Sequence, residues 1–414
     1  MSIKALAGNA AWSMFAHLMG RGSLIAATMI LSNKLITSDF ATYSYFLLTV
    51  SMLSAYAALG MGVTASRYFA EVDVVSDEKL QPLGALWLLS IIIGAIISLV
   101  IFLLPTTLIS GGLNLPSWLL ALGVFVLITG VVPSGGILGL EQYKKYAFFS
   151  SLAAVILIVG VLNLPESNIV YIAILLFIAS MAIQSLGSSI VVLKKVGFKR
   201  IYSTCALNKS SIVSIFSFAG PMVLVSLMAA SGSWLVGRII LSGESGEYQF
   251  ALYSIGLQWF SLVLFIPGMV SRVILPRLVR DAASKIKSKG LTLTTQASFL
   301  AAVAAVFTAT AGSLLSPFIL ELYSNEYRVN AWFLIFFMIV AIPASPANTL
   351  GNAIVSQNGQ WKWLLATFFW FICLVVASLL FVSFGALAGA FAYIISYALL
   401  TIQALILAKK MRLI

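Results

Sequence analysis

Long stretches without a single Asp, Glu, Lys or Arg dominate this 414-residue chain and restrict what it can fold into. Residues 40–66, 146–165, 167–193, 210–237, 248–271, 290–320 and 329–361 are each free of those four types. A helix needs roughly 20 apolar residues to cross the hydrocarbon core, so each run predicts one span. The uncharged run 80–140 is too long for one helix and is expected to break at Pro105 and the Gly111, Gly112, Asn114, Pro116 cluster. The run 363–408 is expected to break near Ser383 and Gly385, so each of these two runs holds a pair of spans. An apolar segment from about Trp12 to Ser32 reads as an uncleaved first helix, giving twelve spans.

Composition closes off the alternatives. Hydrophobic residues make up 61% of the chain and charged residues 9%, against about 25% in soluble domains. A soluble enzyme, a disordered chain and a disulfide scaffold are excluded. The net charge of +12 does not make the chain a nucleic-acid binder, because the 24 basic residues sort by membrane side while the 12 acidic residues divide evenly, six to each side. With both termini cytoplasmic, about twenty basic residues fall on the cytoplasmic face, as the positive-inside rule requires. They include Lys194, Lys195, Lys199, Arg200 and Lys209, the run from Arg272 to Lys289, and Lys409, Lys410 and Arg412. Lys34, Arg328 and Arg238 fall opposite. The run 272–289 is expected to lie at the interface against anionic lipid. Apolar runs of this length are not β-barrel strands, which alternate in polarity over about 10 residues.

An internal repeat organises the spans. Displacing the chain by 210 residues lays Ile30-Leu31-Ser32 on Ile240-Leu241-Ser242 and Phe40-Ala41-Thr42-Tyr43-Ser44 on Phe250-Ala251-Leu252-Tyr253-Ser254. Arg67 falls on Arg277, and Glu71 on Asp281. Helices 1–2 thus coincide with 7–8 in the same orientation. An even number of spans per half makes the halves parallel repeats about an axis along the membrane normal. The expected fold is all-α and polytopic: residues 1–200 and 201–414 as two parallel six-helix bundles around a central cavity.

Charges inside the membrane are the candidate site. His17 and Arg21, four residues apart, share one face of the first helix with Ser13, Gly20 and Thr28. Arg21 lies roughly 15 Å from the outer end of that helix, close to mid-membrane. No Asp or Glu falls in the middle of any span, so its partner is polar backbone, water or an anion from outside the chain. Packing and anion binding are both open for Arg21. Arg238 sits nearer its helix end, where snorkelling serves equally well. Pro343 and Pro346 interrupt a span that also carries Asn348, Thr349 and Asn352, which suit either interhelical hydrogen bonds or a wall facing hydroxyl-rich cargo. Gln258, Trp259 and Gln184 are weaker candidates for sugar contact. Arg67 with Glu71 and Arg277 with Asp281 read as i, i+4 ion pairs, or as a cytoplasmic gate. Cys205 and Cys373 imply no disulfide framework, and no metal-ligand cluster or cofactor motif is present.

These features resemble the MOP (multidrug/oligosaccharidyl-lipid/polysaccharide) exporter superfamily, and within it Wzx-type O-antigen flippases. Leu59-Gly60-Met61-Gly62 leading to Ser66-Arg67-Tyr68-Phe69-Ala70-Glu71 is similar, as are Gly139-Leu140-Glu141-Gln142-Tyr143 and Ile274-Leu275-Pro276-Arg277-Leu278. The resemblance covers the whole chain but rests on architecture more than on a signature. It implies a bacterial inner-membrane flippase moving an undecaprenyl-diphosphate-linked oligosaccharide by alternating access, without a cofactor and without catalysis. Arg21, His17 and Arg238 would meet the diphosphate, and Asn348, Thr349, Asn352, Gln258 and Trp259 the glycan. Arg67 and Arg277 would gate it. Partners would be membrane lipids, a polysaccharide polymerase and a chain-length regulator. A cation-coupled drug antiporter of the same superfamily would be expected to carry buried carboxylates. A membrane glycan polymerase or ligase would be expected to carry a large polar outer loop, whereas the longest here runs from about Ser316 to Asn330.

Overall fold

The computed structural model describes residues 3–58, 60–72, 83–105, 111–165, 167–205, 209–268, 287–328, 331–411 and 413–414. Among them the regular structure is entirely helical. The chain folds as two compact units, residues 1–227 and 228–414, with the division falling inside one long helix.

The first unit contains α1 (Ile3–Ser32), α2 (Thr37–Ala58), α3 (Met61–Ala70), α4 (Leu83–Leu103), α5 (Ser117–Gly139), α6 (Tyr143–Leu162), α7 (Ile169–Val196) and the short α8 (Phe198–Ser203). α9 (Lys209–Leu241) begins in this unit and ends in the second. α5 is its hub, packed against α2, α3, α4, α6 and α7. Glycine explains why. A Cβ on Gly135 would run into the carbonyl oxygen of Gly62, and one on Gly139 into that of Ser66. Small residues four apart let two backbones touch where lipid supplies no hydrophobic drive for association. α4 is the opposite case: Ile96, Leu99 and Phe102 are exposed, as suits a helix facing acyl chains.

The uncharged run 40–66 is not one straight helix. Gly60 adopts a left-handed conformation (φ 74°) as the residue that caps the start of α3. The expected breaks elsewhere are present: Gly111 and Gly112 have φ of 72° and 89° between α4 and α5. Two ends are tied by distant side chains. The Thr204 hydroxyl accepts the Gly84 N–H at 2.9 Å, satisfying a donor at the start of α4. Lys34 Nζ donates to the Leu162 carbonyl at 2.6 Å, closing the C-terminus of α6.

The second unit continues with α10 (Gly246–Val263), α11 (Lys287–Glu321), α12 (Ala331–Ile339), α13 (Ala341–Ser356), α14 (Gln360–Leu380) and α15 (Ala386–Lys410). α13 is largely buried against α11, α14 and α15. The expected proline bend is a break at Val340, between α12 and α13 and just ahead of Pro343. Two hydroxyls cross between helices here: Thr401 of α15 donates to the Pro343 carbonyl at 2.7 Å, and Ser345 donates to the Ala301 carbonyl of α11 at 2.9 Å. Between α14 and α15, Gly385 has φ 59° after a short 3₁₀ turn, Val382–Phe384.

Among the described residues, ten helical segments are long and apolar enough to cross a membrane. α2 and α10, with 22 and 18 residues, bring the bundle to the twelve helices expected. The repeat is visible in burial: Phe40, Ala41 and Tyr43 have no exposed surface, and neither do Phe250, Ala251 and Tyr253.

Candidate functional site

The first unit holds a cavity of about 1030 Å³ between α2, α3, α5, α6 and α7. Its polar wall comes from Ser51 and Ser54 of α2, Ser66 and Arg67 of α3, Ser134 of α5, and Gln184 and Ser185 of α7. A second cavity of about 280 Å³ carries His17, Arg21 and Ser23 of α1, with Ser150 of α6 and Ser180 of α7. Ser51, Leu127, Tyr146, Met181 and Gln184 line both cavities, so the two abut. The sequence therefore folds three of its candidate cations, His17, Arg21 and Arg67, around adjoining spaces within one unit. No carboxylate lines either cavity.

α1 lies along α6, which sets the His17–Arg21 face against Tyr146 and Ser150. The His17 ring meets the Tyr146 ring edge-on, with centroids 6.3 Å apart. Gln184 Nε2 donates to Ser150 Oγ at 3.0 Å, fixing the amide between the two spaces. Arg21 is exposed and His17 half-buried. Thr28, which shares their helical face, is fully buried and donates to the Leu24 carbonyl at 2.8 Å, so it is spent on its own helix.

Arg67 also meets Glu71, as the i, i+4 spacing predicts, with Nε 3.4 Å from Oε1. Glu71 is not part of the cavity wall. Arg67 is thus both half of a surface ion pair and a lining residue. Its proposed counterpart Arg277, the Arg277/Asp281 pair and the stretch around Ile274–Leu278 lie outside the described residues, as does most of the basic run 272–289.

The remaining candidates belong to the second unit and line neither cavity. Arg238 is half-buried near the end of α9. Asn348 and Asn352, one turn apart on α13, are both exposed, whereas Thr349 between them is buried and donates to the Ser345 carbonyl at 3.0 Å. The Trp259 indole N–H donates to the Tyr323 hydroxyl at 3.0 Å, and Tyr323 is fully buried. Gln258 keeps a buried side-chain oxygen that accepts no hydrogen bond. Sequence reasoning missed the serine wall. A serine in an apolar span usually bonds its own backbone, and only the joining of α2, α3, α5 and α7 reveals that these face one space. The available signal was the density of Ser and Gly in segments 51–66, 130–139 and 180–189.

What the arrangement can do follows from its charges. Arginine and histidine in a low-dielectric surround attract anions, and hydroxyls and an amide supply donors and acceptors without net charge. The chemistry of this lining suits an anion carrying polar groups better than a cation.

No family profile matches the sequence. The chain is 23% identical over 274 residues to the EPS I polysaccharide export inner membrane protein EpsE of Ralstonia solanacearum, the match covering 65% of this chain and 62% of that protein. The EpsE of Ralstonia nicotianae is 22% identical over the same extent. The match spans less than two thirds of the length of these relatives. The fold is similar to that of an inward-facing multidrug resistance MATE family transporter of the MOP superfamily, with a TM-score of 0.78 at 17% identity over 94% of both chains. It is also similar to a MOP superfamily transporter from Pyrococcus furiosus, described by a reverse polarity of its binding pocket that suggests a different function. That TM-score is 0.72 at 16% identity, over 99% of this chain and 95% of the other. The chain thus has the MOP transporter fold, as its architecture resembled from sequence.

Proposed function

We propose that this protein is an inner-membrane flippase that moves a lipid-linked oligosaccharide, its diphosphate carried by undecaprenol, from the cytoplasmic to the outer leaflet. The observation that supports this most is the pair of adjoining first-unit cavities, lined by Arg21, His17, Arg67 and serines and by no carboxylate. A diphosphate matches the cations, a glycan matches the hydroxyls and Gln184, and a polyprenyl chain needs only lipid. Similarity to polysaccharide export proteins points the same way. The cycle is alternating access, residues 1–200 and 201–414 moving as two bundles, with Arg21 engaging the diphosphate in the inward state. Arg238, Asn348 and Asn352 serve cargo from the second unit in this reading.

The rival is a drug antiporter of the same superfamily, supported by the MATE fold. A cationic drug needs an acidic wall, and these cavities carry the opposite charge. Two measurements separate the readings. Arg21→Ala is expected to leave a folded, membrane-inserted protein that no longer supports surface polysaccharide, with lipid-linked repeat units accumulating on the cytoplasmic side. Arg21→Lys is expected to restore part of the function, since it keeps the charge but not the bidentate fork. Normal surface polysaccharide in Arg21→Ala at native expression removes Arg21 from the mechanism. Uptake of a cationic dye by proteoliposomes, with no movement of a labelled polyprenyl-diphosphate sugar, gives the protein to the rival.

A further inference from the structure

A third space lies apart from the two cavities and shares no residue with them. It is a crevice of about 390 Å³ between the start of α6 and the end of α7. Its charged rim is Lys144 and Lys145 in the first turn of α6 and Lys194 in the last turn of α7. Its remaining wall is wholly apolar: Phe148 and Phe149 on α6, Ile190 and Val191 on α7.

The order along each helix is the informative part. On α6 the lysines precede the phenylalanines by one turn, and on α7 Lys194 follows Ile190 by one turn. The helices pack side by side, with the start of one beside the end of the other. Both therefore run from charge to apolar in the same direction, from the membrane surface inward. Phe148 and Ile190 are 63% and 48% exposed, so the apolar half opens sideways toward acyl chains. No acid lines the crevice, and the positive end of the α6 dipole points at it. This is the charge pattern of an anionic amphiphile read in reverse: headgroup at the lysines, chains along Phe148 and Ile190.

We propose that this crevice binds an anionic phospholipid of the leaflet at the lysine-rich end, which the positive-inside bias assigns to the cytoplasm. A polyprenyl-linked glycan shares the phosphate-and-tail chemistry, but its sugars need hydroxyl or amide partners. The crevice has neither. The site is therefore for bulk anionic lipid rather than cargo, and it anchors the α6–α7 hairpin that also carries Tyr146, Ser150 and Gln184 of the cavities.

The test uses the full chain in phosphatidylcholine nanodiscs with phosphatidylglycerol added in steps, retained lipid being counted by native mass spectrometry. The triple variant K144Q/K145Q/K194Q is expected to lose preference for phosphatidylglycerol by at least tenfold, since these three lysines converge on one headgroup position above an apolar crevice. Replacing the same three by arginine is expected to preserve it. The control K362Q/K409Q/K410Q removes three exposed lysines from the paired ends of α14 and α15, and should stay within twofold of wild type. Equal losses in the two glutamine triples would show diffuse attraction and overturn the proposal. So would an unchanged preference in K144Q/K145Q/K194Q. Displacement of phosphatidylglycerol by equimolar undecaprenyl diphosphate, without the reverse, would assign the crevice to cargo and also overturn it, leaving the Arg21 result independent.

Discussion

Gly135→Ala adds one methyl group at a close backbone contact between α3 and α5 in the first unit. The new Cβ would overlap the Gly62 carbonyl oxygen, lie 3.0 Å from the Gly62 carbonyl carbon and 3.1 Å from the Ala65 Cβ. None of these is the far end of a flexible side chain. Restoring ordinary contact requires α3 to withdraw from α5 by about 1 Å, and overpacking of this kind costs about 1–3 kcal/mol. α3 is only 10 residues long and hinges at Gly60, so it yields before α5 does. The withdrawal carries Ser66 and Arg67 away from the cavity wall. The expected result is an apparent melting temperature several degrees lower at a fixed scan rate, together with reduced surface polysaccharide at native expression. Gly22→Ala is the matched comparison: a Cβ there meets nothing within 4 Å, and alanine favours the helix. Its melting temperature should hold or rise. Wild-type melting in Gly135→Ala would refute the backbone contact and, with it, the account of how α3 is positioned.

Three further substitutions separate structural from cargo-handling roles. Glu71→Gln breaks an ion pair that is largely solvent-facing, 3.4 Å apart, so stability should change by no more than about 0.5 kcal/mol and export should continue. Arg67→Gln should match it in melting but lower export, and equal export in the two variants would leave Arg67 as a surface pair alone. Trp259→Phe removes the donor to the buried Tyr323 hydroxyl and should cost about 1 kcal/mol, read as a lower melting temperature, with export retained. Export lost at unchanged melting would instead put Trp259 against cargo.

The spans were legible because charge is too costly in hydrocarbon to be scattered, so uncharged runs mark helices directly. The turns between paired spans were legible because glycine and proline clusters mark them, as at Gly111–Gly112 and Gly385. The repeat survived in Phe40, Ala41 and Tyr43 against Phe250, Ala251 and Tyr253 because both triplets are fully enclosed. What stayed hidden depends on neighbours. Gly60 interrupts a run with no charge and no proline, so its left-handed turn left no trace in the hydropathy pattern. Asn348, Thr349 and Asn352 stack at helical spacing, yet only the packing of α13 against α11 and α15 decides that the threonine is enclosed and the asparagines exposed. The serine wall needed four helices to be assembled before its members shared a space.

A cavity that both captures and releases an anion has to limit its own attraction. An arginine at membrane depth costs about 2.5–3.5 kcal/mol on insertion scales, so each added cation makes the unit harder to insert. It also deepens the well from which a diphosphate must leave, and translocation requires sites weak enough to empty. The first unit meets both constraints by number and kind. It places Arg21, His17 and Arg67 around adjoining spaces and builds most of the remaining polar wall from serines, whose hydroxyls donate or accept without net charge. A glycan exchanges water for such hydroxyls at little change in energy, so under the flippase proposal the wall would follow different sugars while the cations held a shared diphosphate. On this argument, replacing Ser54 or Ser185 by lysine should tighten retention of a polyprenyl-diphosphate sugar in proteoliposomes and slow its transfer. Faster transfer with tighter retention would show that cargo release is not the step these residues govern.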